Sequence, residues 1–152
     1  MNIHVIDFLD NNGIIKNKYF CLKNGGENII PELYWKPIKD ISSYALIMED
    51  TKAVFGTVVH WFIPTITKNI IIEGKNFYDK FGYYGPCAPK NTGIHEYNFI
   101  LYSLDKILDF DLDAKINSSV HFEKILRDNN IKILHKSNKI YYYDSKKLNF
   151  FN

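Results

Sequence analysis

The amino-acid sequence predicts a mainly β domain, an antiparallel sandwich with one main helix in its C-terminal third. Three observations lead there. The chain has 152 residues, of which 46% are hydrophobic and 16% aromatic, so it can offset its conformational entropy by burial and has the length of one ordinary domain, residues 1–152. Its apolar runs are short, rich in β-branched and aromatic residues, and divided by Gly, Asn or Pro, as strands between turns are. One stretch alone has helical spacing: Val120, Phe122, Ile125, Leu126 and Asn129 recur at intervals of two to four, with Asn117 or Ser118 placed to cap its start.

In chain order the expected strands are Gly13 to Cys21, Tyr44 to Glu49, Thr57 to Pro64, Tyr97 to Leu104, Lys132 to His135 and Ile140 to Tyr143. The helix, Ser118 to Asn129, falls between the fourth and fifth of these. Lys136-Ser137-Asn138-Lys139 suits a hairpin loop joining the last two strands. In Tyr97 to Leu104 both faces are apolar, Tyr97, Phe99 and Leu101 on one and Ile100 and Tyr102 on the other. Such a strand is expected to be buried on both sides, in the middle of a sandwich.

Composition excludes several classes of function. A net charge of +2 with Lys and Arg spread along the chain gives no basic stripe to neutralise a run of phosphates, so nucleic acid is not the expected partner. The N-terminal residues lack the basic and apolar regions of a secretion signal, and no segment approaches the ~18 apolar residues of a membrane span. A cytoplasmic protein is expected. Cys21 and Cys87 are too few for a disulfide scaffold and lack metal-knuckle spacing; reduced thiols are expected in a cytosol. Tracts such as Asn69-Ile70-Ile71-Ile72 and Tyr141-Tyr142-Tyr143 point to coding from an AT-rich genome, a virus or parasite, in which case the location would be a virion or an infected cell.

Three stretches carry a resemblance. Lys18-Tyr19-Phe20-Cys21 followed by Gly26-Glu27-Asn28-Ile29-Ile30-Pro31-Glu32-Leu33-Tyr34-Trp35 is the first. The second is Tyr44-Ala45-Leu46-Ile47-Met48-Glu49-Asp50 leading to His60-Trp61. The third, and most specific, is Gly82-Tyr83-Tyr84-Gly85-Pro86-Cys87-Ala88-Pro89-Lys90-Asn91-Thr92-Gly93-Ile94-His95-Glu96-Tyr97, continued by Leu101-Tyr102-Ser103-Leu104-Asp105. Together they resemble the phosphatidylethanolamine-binding protein (PEBP) family, nearest its bacterial Raf-kinase-inhibitor-like branch. The chain departs from that pattern after Asp50, where Thr51, Lys52 and Val54 replace Pro, Asp and Pro, and at Ile30, where Ser is usual.

The resemblance implies a PEBP-like sandwich in which Asp50, His60 and His95 meet at one end as a small anion pocket. It further implies that Pro86, Cys87 and Pro89 wall the pocket and that Tyr97, two residues beyond His95 on the same strand face, supplies a hydroxyl. A carboxylate beside an imidazole favours its protonated form, so the histidines are expected to donate N–H groups to a phosphate, with affinity falling as pH rises. The implied ligands are phosphate and phospholipid head groups, and the implied protein partners a kinase or protease. No cofactor, metal or catalytic residue is expected. Other readings stay open at each residue: His60 before Trp61 as a satisfied strand histidine, His95 as a strand-start residue, Asp50 as a turn carboxylate. His4, His121 and His135 gain no role, while Pro31 and Trp35 read as a turn proline and a core aromatic. Two rival functions also remain, a degenerate fold serving only as an interaction module and a His/His/Asp metal-dependent enzyme.

Overall fold

The structure is a computed structural model that describes residues 1–71, 82–108 and 116–146. Two antiparallel sheets form its frame. The smaller joins β1 (His4–Ile6), β2 (Glu32–Tyr34) and β5 (Ile70–Ile71) in the order β1-β2-β5; the larger joins β3 (Ser43–Asp50), β4 (Val58–Ile66), β6 (Ile94–Leu104) and β7 (Ile133–Asp144) in the order β4-β3-β6-β7. The helix α1 (Ser119–Asp128) precedes β7.

The central strands of the large sheet are apolar on both faces because both faces are covered. Tyr44, Leu46 and Met48 of β3 and Tyr97, Phe99 and Leu101 of β6 join Ile3, Phe8, Leu33 and Trp35 in the core between the sheets. The alternate residues Ala45, Ile47, Ile100, Tyr102 and Leu104 join Phe122 and Leu126 of α1 in a second core on the other side. Each large side chain so enclosed contributes about 1.5–3 kcal/mol of burial. The two-sided strand read from 97–104 is therefore present, with Ile94–His95–Glu96 added at its start. The helix also agrees with its pattern. Ser118 is the N-cap, its hydroxyl accepting from the His121 amide at 3.0 Å. Pro64 lies on β4, which is a sheet edge where a missing N–H is tolerated.

Two expected elements differ. Gly13 to Cys21 is not a strand: after an isolated Leu9–Ile15 bridge it winds into short 3-10 turns at Asn17–Tyr19 and Leu22–Asn24. Its backbone groups are taken up across the end of the core, with the Phe20 carbonyl accepting from Asn28 and the Cys21 amide donating to the Pro86 carbonyl. The hairpin over Lys136–Lys139 is absent as well, because β7 runs without a break alongside β6, pairing Ile94 with Asp144 and Leu104 with Ile133. β7 is an edge strand, so the polar side chains that suggested a loop find solvent without leaving the sheet.

Candidate functional site

The site lies where β3 ends. Asp50, its last residue, pairs in register with Tyr97 of β6, which leaves His95 one diagonal step away on the same face. The Asp50 carboxylate accepts from His95 Nδ1 at 2.6 Å, and the side chains are 3% and 1% exposed. The other Asp50 oxygen accepts from the Lys52 amide at 2.8 Å, which folds the chain back after the strand.

His60 reaches the same place through a β-bulge. Met48 pairs with Trp61 and Glu49 with Val59, so His60 alone in that step of β4 has no partner on β3. In a regular strand His60 and Trp61 would face opposite sides; the bulge turns both inward. Trp61 enters the core between the sheets, while the His60 ring packs edge-on to Tyr97 with centroids 5.4 Å apart and stacks near Tyr84 at 6.1 Å.

The segment from Tyr83 to Pro89 walls the site and is fastened at several points. Asn28, in the left-handed region at φ 53°, accepts from the Gly85 amide at 2.7 Å and donates to the Tyr83 carbonyl at 3.0 Å. The Tyr83 hydroxyl donates to the Tyr19 carbonyl at 2.7 Å. Gly85 lies so close to the backbone of Tyr19 to Cys21 that a Cβ there would collide with the Tyr19 carbonyl oxygen. Cys21 and Cys87 form a disulfide with Cα atoms 5.4 Å apart. The expectation of two reduced thiols is thereby corrected: the Cys21–Pro86 backbone bond brings the two sulfurs together, although 66 positions separate them in sequence.

These parts enclose a cavity of about 490 Å³. Asp50, His60, His95 and Thr92 form its polar floor; Tyr84, Cys87 and Pro89 stand beside them; Val54, Phe55, Val58 and Lys23 surround the mouth. Of the residues expected here, Asp50, His60, Cys87, Pro89 and His95 line the space. Pro86 and Tyr97 do not. Pro86 is buried with its carbonyl turned to Cys21. The Tyr97 ring sits behind the floor against both imidazoles, and its buried hydroxyl faces the amides of Ala88 and Cys87. Burial, aided by the Asp50 charge, pushes that hydroxyl far above the ordinary tyrosine range, so it stays protonated. Thr92 was missed by sequence reading. Its only signal is a hydroxyl three residues before a site histidine, and it lies 2.7 Å from His95 Nε2.

The two imidazoles are not equivalent. Both nitrogens of His95 are engaged, Nδ1 by Asp50 and Nε2 by Thr92, whose hydroxyl donates to the Pro89 carbonyl. His60 Nδ1 donates to the Tyr84 carbonyl at 2.7 Å, which leaves Nε2 as the atom without a protein partner among the described residues. Burial lowers the His60 pKa below its ordinary value of 6.5, outweighing the Tyr84 and Gly85 carbonyls and the Asp50 charge that favour protonation. Enclosure of the His60 ring therefore works against the protonation expected of it. Among the described residues no three His, Cys, Asp or Glu side chains are grouped to hold a metal, and no helix is long and apolar enough to cross a membrane.

A sandwich whose strand ends and fastened loop enclose a hollow with a polar floor is the architecture of a ligand-binding protein. Residues 6–135 match the phosphatidylethanolamine-binding protein family model, and the chain belongs to that family. It is similar to a UPF0098 protein of Pyrococcus horikoshii, 35% identical over 127 residues that span 72% of this chain and 63% of the relative, so it covers less than two thirds of that relative's length. A UPF0098 protein of Methanothermobacter thermautotrophicus is 34% identical over 75% of this chain and 83% of its own. The fold is similar to the crystal structure of a candidate PEBP homologue from Chlamydia trachomatis, with a TM-score of 0.72, 21% identity, and coverage of 93% of this chain and 95% of that one.

Proposed function

We propose that the chain binds a small phosphoryl-bearing ligand, phosphate itself or a phosphorylated head group, in the cavity floored by Asp50, His60, His95 and Thr92, and that it does so without catalysing a reaction. The supporting observation is the cavity's division: polar groups at the bottom, apolar Val54, Phe55 and Val58 at the mouth, and Lys23 beside them to attract an anion. A head group with an apolar remainder matches both halves. Phosphatidylethanolamine-like ligands belong to this class. A kinase or protease partner would read the exposed rim, where Phe55 projects fully into solvent; that partnership comes from family resemblance. The disulfide favours a location outside a reducing cytosol.

Thermal unfolding tests the binding role. Inorganic phosphate at a hundredfold excess over its Kd should stabilise the protein by about 2.7 kcal/mol, a rise of roughly 5–10 °C for a domain of this size. Val58→Trp, placed on an exposed position at the mouth, should block the entry and remove the protection while the unliganded melting temperature holds. An unchanged Tm at high phosphate, or equal protection of the blocked variant, would leave an interaction module as the better reading.

A further inference from the structure

The two sulfurs of the cystine stand in different surroundings. Cys21 is fully buried, with its amide donating to the Pro86 carbonyl, its own carbonyl accepting from Asn24 and Gly26, and the Gly85 backbone lying against it. Cys87 is half-buried and lines the cavity. Its Sγ accepts from the hydroxyl of Tyr84 at 3.2 Å, and Tyr84 is an exposed residue lining the same space. Thiol–disulfide exchange requires a thiolate to reach one of the two sulfurs, and access decides which. Of this pair, the reachable sulfur is that of Cys87.

We propose that Cys87 is a thiol-exchange site opening into the cavity, attacked by small monothiols that enter through the mouth and shielded when a ligand is seated on the floor. Lys23 at that mouth draws the thiolate in as it would any small anion. The thiolate sulfur bonds to Cys87 Sγ, the Cys21–Cys87 bond breaks, and its electron pair leaves on Cys21 Sγ, which takes up a proton from water. A second thiolate then attacks the added sulfur and departs with it as a symmetrical disulfide, leaving Cys87 as a thiol. Two thiols are oxidised and one cystine is reduced. The exchange site needs only the cavity of about 490 Å³ and its mouth; shielding by phosphate rests on the phosphoryl-binding reading. Where both hold, ligand and redox state are linked, because an occupied cavity keeps the bridge closed in the presence of thiols.

Reduction by 2-mercaptoethanol tests the route, at about pH 8 where the reagent is partly thiolate and well below the melting temperature, with acid-quenched samples alkylated under denaturing conditions to count free thiols. The rate should be proportional to thiol concentration and should fall by about tenfold or more in Val58→Trp, whose side chain closes the mouth. In the unaltered protein, inorganic phosphate at about ten times its Kd and matched ionic strength should slow reduction about tenfold, since roughly a tenth of the cavities are then empty. Equal rates in the unaltered protein and in Val58→Trp would overturn the cavity route. So would phosphate that raises the melting temperature and leaves the rate unchanged. Phosphate without effect on either, with Val58→Trp still slowed, would sink phosphoryl binding and leave the exchange site standing. Single-cysteine variants identify the sulfur reached. Cys87 in Cys21→Ser should form a mixed disulfide with hydroxyethyl disulfide, whereas Cys21 in Cys87→Ser should react only on unfolding; the reverse pattern would overturn the assignment. Where loss of the bridge prevents folding, the rate comparison decides alone.

Discussion

A carboxylate and an imidazole 45 positions apart in sequence, held at 2.6 Å and hidden from solvent, depend on one another. Removing one partner leaves the other polar and enclosed, so His95→Ala should cost about 3–5 kcal/mol in urea denaturation. Adding Asp50→Ala to it should cost less than the sum of the single changes, because no group is then stranded; additive losses would mean that the contact has little weight. Asp50 and His95 were legible in the sequence because each stands inside a motif at a strand end. The role of His60 was legible only in part. Its place in the motif was visible, but the bulge that turns it inward beside Trp61 depends on where β3 breaks register, and the lowering of its pKa depends on enclosure by distant segments. Tyr97 was placed on the correct face and expected to offer its hydroxyl to the pocket, but its ring sits behind the floor, since a strand period gives direction and not depth.

Local signals served best where the chain answers to itself. The Ser118 cap and the apolar stripe of α1 are contained within about a dozen residues, and the helix appears where they place it. Lys136 to Lys139 has loop-forming composition, yet eleven residues of β6 offer a continuous ladder and the edge strand follows it. Long-range pairing overrode turn preference there. The segment 13–21 shows the opposite error: its β-branched and aromatic residues suggest a strand, but they pack across the end of the core rather than along a sheet. The wall from Tyr83 to Pro89 owes its position to contacts of this kind. Gly85→Ala would drive a Cβ into the Tyr19 carbonyl, so the wall must shift at a cost of about 3 kcal/mol, with weakened phosphate protection even where the protein still folds. Unaltered stability and binding would show that the approach is looser than described.

On the scale of the whole molecule, the sandwich, its two-sided central strands and the helix α1 follow from apolar periodicity, whereas the cystine could not be read because bonding requires that two remote segments be adjacent. In the chain-entropy picture a bridge spanning 66 positions stabilises the fold by about 4 kcal/mol. It also changes how the chain is connected. Covalently, residues 21 to 87 are a ring with two tails: Asp50 and His60 belong to the ring, and His95 to the outgoing tail. The fully exposed Phe55 lies on that ring, so one chymotryptic cut after it opens the circle without releasing a fragment. The nicked protein should run as a single species on a denaturing gel and separate into two only with reductant; two bands before reduction would mean that the sulfurs are not joined.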